Sequence, residues 1–259
     1  MAIDFKKMII KGAKDVYLFD KDTDTLKSYF DEVTDIKFNG DSEEKEVEGF
    51  NGSVVAVLDS KKSLTCEFTN TYFTTDGLAT VMGSKEEVAS ADNKFIIRRF
   101  EYKKLSATKT LTLDDTPIKK SSGGSSTGVI VEVDKLNSDK TIKEVISGAT
   151  VSDKTVTLTD GTEGDLYRIV YDTEVTSGIR VTDNANEFAG TYRMIANLLV
   201  LDPCSKKEHL LQADIPSYKV KTSYTVETST DPATMNVTGS AEKDICSADG
   251  TFATYTLVD

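Results

Sequence analysis

Asp20, Asp22 and Asp24 alternate in the run Asp-Lys-Asp-Thr-Asp and could offer oxygen ligands to a hard cation. A calcium loop of this kind takes ligands from its first, third and fifth positions, a glycine at the sixth and a bidentate glutamate at the twelfth. Here the sixth position is Thr25 and the twelfth is Asp31, with Glu32 one place late. Residues on both sides alternate as strands do, so the run reads as a hairpin turn, in which aspartates bond their own backbone. His209 is the only histidine, and no Gly-x-Ser-x-Gly elbow or cysteine stands beside it as a nucleophile. It reads as a surface or partly packed residue. Gly123-Gly124-Ser125-Ser126 lacks the Gly-Lys-Ser/Thr of a phosphate loop and reads as flexible chain. Cys66, Cys204 and Cys246 are odd in number and widely spaced, which suits separate thiols rather than a disulfide framework or a zinc knuckle. With 43 acidic residues, carboxylate pairs carry no specific signal of glycoside hydrolysis. No catalytic residue, cofactor site or metal site is expected.

The elements that must position these residues are strands. Ser and Thr make up about a fifth of the 259 residues, Pro only 4, and Thr, Val, Ile, Tyr and Phe recur in short alternating runs. The formal net charge is -12, from 31 Lys plus Arg against 43 Asp plus Glu. That balance disfavours a protein that wraps nucleic acid, since no surplus of cations is available to displace phosphate counterions. It equally disfavours an anionic membrane surface. No apolar run approaches the roughly 20 residues of a membrane span, and residues 1–15 show no secretory h-region. Synthesis in a cytoplasm is the expectation.

Along the chain, residues 15–38 read as two strands, a turn at the aspartates and a further extended segment. Residues 39–49 are polar, with Glu43, Glu44, Glu46 and Glu48, and read as a long exposed loop. Residues 53–59 and 64–70 read as a hairpin turning at Ser60-Lys61-Lys62-Ser63. In the second of these Leu64, Cys66 and Phe68 alternate with Thr65, Glu67 and Thr69, the period of a sheet with one buried face. Leu78, Val81 and Met82 stand at i, i+3 and i+4 between a capping Thr75 and Gly83, which predicts a short helix with one packed stripe. Residues 93–104 form a rather basic strand. Residues 116–128 read as a loop or linker, 129–133 as a strand, 141–146 as one helical turn, and 166–171 as a strand. Strands follow at 188–202, 219–227, 235–241 and 251–258, about twelve in all.

This order of elements resembles the major tail tube proteins of tailed bacteriophages and the related tubes of contractile injection systems. The residues that carry the resemblance are Val33-Thr34-Asp35-Ile36, the segment 39–52, Leu64-Thr65-Cys66-Glu67-Phe68 and Leu78-Ala79-Thr80-Val81-Met82-Gly83, with 215–220 and 231–244 as closing strands. The resemblance implies a mainly β fold, a β-sandwich or barrel of tail-tube type with one short helix. It places that sandwich at 1–104 and 185–259, and an inserted Ig-like β domain at 105–184, pointing away from the tube axis. It implies a structural virion subunit, made in the host cytoplasm, that stacks as rings, commonly hexamers, into a hollow tail tube. Its partners would be itself and other phage tail proteins, with DNA passing through the lumen without specific binding and no membrane contact. The segment bearing Glu43, Glu44, Glu46 and Glu48 would reach a neighbouring subunit and meet cations there, with Lys61, Lys62, Arg98 and Arg99 as candidates. The alternatives are another virion protein of the head or its decoration, or a monomeric adhesion or carbohydrate-binding β-sandwich module.

Overall fold

Leu64, Cys66 and Phe68 are buried, while Thr65, Glu67 and Thr69 between them face away, so their alternation marks the two sides of one strand. The computed structural model describes residues 7–122, 125–128, 130–223, 234–243 and 250–258. The elements of the first part are β1 (Ile9–Asp20), β2 (Leu26–Phe30), β3 (Val33–Glu48), β4 (Val54–Asn70) and the helix α1 (Thr75–Met82). The middle holds β5 (Glu86–Val88), β6 (Phe95–Lys104), β7 (Thr110–Thr112), β8 (Lys119–Ser122), β9 (Ser125–Gly128), β10 (Ile130–Leu136) and β11 (Ile142–Val145). It continues with β12 (Thr150–Ser152), β13 (Thr155–Thr157), β14 (Leu166–Val175) and β15 (Ile179–Val181). The last part has β16 (Thr191–Leu201), β17 (Glu208–Val220), β18 (Met235–Ala241) and β19 (Thr254–Val258). The protein is thus mainly β, of β-sandwich type, with one helix among the described residues.

Contacts divide the chain into two compact units, one of residues 1–87 and 181–259, the other of 88–180. In the first, an eight-stranded sheet runs β2-β1-β16-β17-β18-β4-β3, with β19 also on β17. All of its pairings are antiparallel. One face of this sheet covers a core that includes Val16, Leu18, Phe30, Cys66, Phe68, Met194, Ile215, Tyr218 and Val237. Phe30 and Phe68 meet edge to face at 5.0 Å. Gly239 lets β18 lie close against β17, since a Cβ there would lie 2.5 Å from both the Lys219 carbonyl and the Tyr218 ring. Helix α1 lays buried Val81 and half-buried Leu78 on this core, Met82 is buried as well, and Ser28 Oγ hydrogen-bonds Thr80 Oγ1 at 2.5 Å. The helix stops at Gly83, whose φ of 75° is left-handed and whose missing Cβ would clash with the Phe188 carbonyl at 2.1 Å.

The second unit closes its own core between two sheets, β11-β10-β14-β6 and β12-β13-β7. Leu111, Val133, Val156, Ile169 and Tyr171 are buried there. β6 pairs with β14 along its whole length, from Phe95 opposite Val175 to Lys104 opposite Leu166. Glu101 accepts hydrogen bonds from the Tyr171 hydroxyl and from the Asp114 N–H, which fixes the corner after β7.

Several segments differ from their sequence reading. Residues 39–48 are a strand and not a loop, and Ser60 to Ser63 continue β4 rather than turning it. Residues 142–145 pair with β10 as a strand and do not form a helical turn. Residues 119–122 and 125–128 pair as a ribbon where a loop was expected, with Gly123 and Gly124 outside the described residues. The strand expected over 219–227 ends at Val220, and 224–230 lie outside the described residues. Cys246 also lies outside them.

Candidate functional site

The long hairpin of β3 and β4 changes character along its length. From Val33 to Phe38 and from Leu64 to Asn70 one side of the ladder lies on the core. Beyond it, residues 39–48 and 54–62 remain paired yet every one of them is exposed. The pairing runs from Asp41 opposite Ser63 to Glu48 opposite Val54, with bulges at Glu43/Glu44 and Val47/Glu48. The tip closes through Gly49 N–H to the Ser53 carbonyl at 2.8 Å, and Phe50 on the tip is fully exposed. A two-stranded ribbon with neither face covered is marginally stable by itself in water. This arm therefore has the construction of an element that is completed by a partner.

Register assigns its side chains to faces, since directly paired residues point the same way. Glu44 with Asp59 and Glu46 with Val57 share one face, at the parity that turns Ile36 and Phe38 toward the core. Glu43, Lys45 with Leu58, and Val47 with Ala56 share the other. Three of the four nominated glutamates, Glu44, Glu46 and Glu48, thus alternate on one side, and Glu43 is separated from them. Glu43 is also engaged within the arm by Lys61 Nζ at 3.1 Å. Of the other nominated cations, Arg98 holds Asp172 with two bonds of 2.8 and 3.1 Å, and Arg99 holds Asp115 at 3.1 Å. The cations that were to meet the glutamates are largely occupied by local carboxylates.

What the sequence reading missed on the arm is apolar. Val47, Val54, Val55, Val57 and Leu58 are exposed together with Phe50. The run Val54-Val55-Ala56-Val57-Leu58 is apolar at consecutive positions, so it is apolar on both faces of a strand, a signal that reads as core until the strand is placed. Fully burying one such side chain is worth roughly 1.5–3 kcal/mol, whereas an exposed ion pair contributes at most about 1.

The face of the eight-stranded sheet turned away from its core is mixed. On β2, β1, β16 and β17 it carries Tyr29, Tyr17, Phe19, Ile195, Leu199 and Leu210 among the polar Asp15, Arg193, Asn197, Gln212 and Asp214, with Tyr17 and Tyr29 stacked at 4.8 Å. Across β18, β4 and β3 it carries three rows of polar groups, Asn236–Thr69–Asp35, Thr238–Glu67–Lys37 and Ser240–Thr65–Asn39. Thr69 Oγ1 donates to Asn236 Oδ1 at 2.9 Å. Lys37 Nζ lies 3.2 Å from both Asp35 Oδ2 and Glu67 Oε1, and these two carboxylates hold its pKa above the ordinary lysine value.

The remaining chemical candidates have structural settings. Asp20 Oδ1 accepts from Asp22 N–H at 3.1 Å, Thr23 N–H at 3.0 Å and the Thr23 hydroxyl at 2.9 Å, and those bonds hold its carboxyl below the usual range. The aspartate run is a hairpin turn, with Asp24 left-handed at φ 54°. No cluster of His, Cys, Asp and Glu suited to a metal occurs among the described residues. His209 is buried in β17 rather than at the surface. Burial pushes the Cys66 thiol up to about 12, with Glu67 adding to the shift. Among the described residues no helix is long and apolar enough to cross a membrane.

The fold is a mainly β one whose sheet extends into an uncovered arm. The comparison with families makes this particular: the model of the YomU/Tube protein family matches residues 8–255, and the chain belongs to that family. It is a phage tail tube family, a structural component of the virion tail. No curated protein matches the chain.

Proposed function

We propose that this protein is the repeating subunit of a bacteriophage tail tube, stacking as rings, six subunits in each, around a bore through which DNA passes. The observation that carries this reading is the arm of residues 39–62, which keeps its ladder with neither face covered. A second copy of this chain is the occupant, because a tube repeats one subunit and heterologous contacts between copies close rings or continue as stacks. Covering Val55, Val57, Leu58 and Phe50 supplies the energy of the contact. Glu44, Glu46 and Glu48 set its register against the neighbour, each adding a few tenths of a kcal/mol up to about 1. The second unit is, in this reading, an Ig-like module inserted in the tube domain. The tube contacts no membrane and uses no cofactor.

The test is replacement of residues 42–62 by an Asn-Gly turn between the paired Asp41 and Ser63. Wild-type protein should form ring stacks in negative-stain micrographs, and the armless protein should stay a folded monomer. A wild-type protein that remains monomeric at high concentration would overturn the reading. Tubes of normal length from the armless protein would show that the arm is not the stacking element.

A further inference from the structure

The second unit also leaves an apolar surface uncovered. In the sheet β11-β10-β14-β6 one side lies on the core through Val133, Ile169 and Tyr171. The composition of the other side follows from register, because paired residues point the same way. Tyr102 lies opposite Arg168, Arg168 opposite Asp134, and Asp134 opposite Val145. Phe100 lies opposite Val170, and Ile96 stands on the same side of β6. Ile96, Phe100, Tyr102 and Val145 are each more than half exposed and together show water roughly 450 Å² of apolar surface, the size of patch that marks an interaction site. The charges among them are neutralised in place. Arg98 holds Asp172, while Arg168 holds Asp134 and lies 3.4 Å from Glu132. What this face offers a partner is therefore burial of apolar area.

Stacked rings of one subunit are joined by two different surfaces meeting head to tail, whereas identical patches that meet are related by a twofold axis and close as a pair. In a tube this patch does not meet itself. The arm presents a different apolar surface. On one side of its ribbon Val47, Ala56 and Leu58 stand with Lys45, away from Glu44 and Glu46. We propose that this side of the arm lies on the β6–β14–β10 face of the second unit of another copy. The proposal rests on the tube reading and adds to it the surface that receives the arm. Covering both surfaces, with the polar groups between them, would remove on the order of 1,000 Å² from water, enough for a specific contact. Charge agrees with this pairing, since Lys45 stands on that side of the arm and the patch carries Glu132, whose carboxylate is 40 % exposed. The opposite side of the arm, with Glu44, Glu46 and Val57, is left for a further neighbour.

The experiment mixes two chains, one carrying Leu58→Cys and the other Tyr102→Cys, each with Cys204 and Cys246 changed to serine. After assembly a short bis-maleimide should join them as a heterodimer on a denaturing gel. The same mixture held below the assembly concentration should stay unjoined. Absence of the heterodimer in tubes, or a Tyr102→Cys chain joined mainly to its own kind, would overturn the contact. Phe100→Asp with Tyr102→Asp should raise the protein concentration needed for assembly at least about tenfold, read by sedimentation, with thermal unfolding of the monomer unchanged. Should that pair impair folding, Ile96→Asp with Val145→Asp probes the same surface. An unchanged assembly concentration in a folded variant would equally overturn the contact. Absence of tubes from the unmodified chain would overturn the functional reading first, and this contact with it.

Discussion

The two ends of the β3–β4 hairpin are one ladder under opposite conditions. In the body, Cys66 and Phe68 are almost wholly buried, and each pair holds because its side chains fill a core. In the arm, the same two strands continue with every residue exposed. Hydrogen bonds alone contribute little net stability in water, because water competes for the same groups. The body therefore determines whether the protein folds, and in the proposed tube the arm determines what the folded protein joins.

The largest effect should come from the body. Phe68→Ala removes a ring that meets Phe30 in the centre of the core and should cost about 3–5 kcal/mol, read by denaturant unfolding. The arm should respond the opposite way. Val57→Asp with Leu58→Asp should change monomer stability by less than about 0.5 kcal/mol and abolish polymerisation, as measured by sedimentation. A large loss of monomer stability there would mean that the arm is packed on its own subunit. Thiol chemistry draws the same line without changing the fold. With Cys204 and Cys246 replaced by serine, Cys66 should resist a thiol reagent at pH 8 until the protein unfolds, since its thiol is buried and its pKa raised to about 12. Val57→Cys on that background should react at once in the monomer and become protected in tubes. The smallest effect is expected at Glu43 and Lys61, where a double-mutant cycle on monomer stability should give a coupling of a few tenths of a kcal/mol.

The legibility of the sequence followed the same boundary. Strands with one face on a core write period-2 alternation, and Leu64, Cys66 and Phe68 were readable for that reason. The Leu78, Val81, Met82 stripe with Gly83 gave the helix, and the aspartates gave the first turn. The arm has no inside and outside, so residues 39–48 alternate in nothing and looked like loop. Ser60-Lys61-Lys62-Ser63 looked like a turn because its polar residues lie on an uncovered strand with a bulge beside it. Val54 to Leu58 read only as one strand of a hairpin, because apolar composition does not reveal whether a strand's faces are covered within its own subunit. The three polar rows of β18, β4 and β3 were not legible as a group. The β18 residues stand more than a hundred positions from those of β3 and β4 and are brought to them only by the pairing of β18 with β4.

The pairing of β1 with β16 sets a timetable for synthesis. Ile9 lies opposite Leu201 and Asp20 opposite Tyr192, so the first strand has no central partner until most of the chain has been translated. At roughly 5–20 residues per second that interval is on the order of ten to forty seconds. Residues 88–180 form a compact unit of their own, so they can fold while β1 waits. Closure of the main core is the late event, and non-local pairing of this kind makes it slow. A nascent chain thus exposes its arm before it has a finished body, and subunits become competent to join one another only after release from the ribosome.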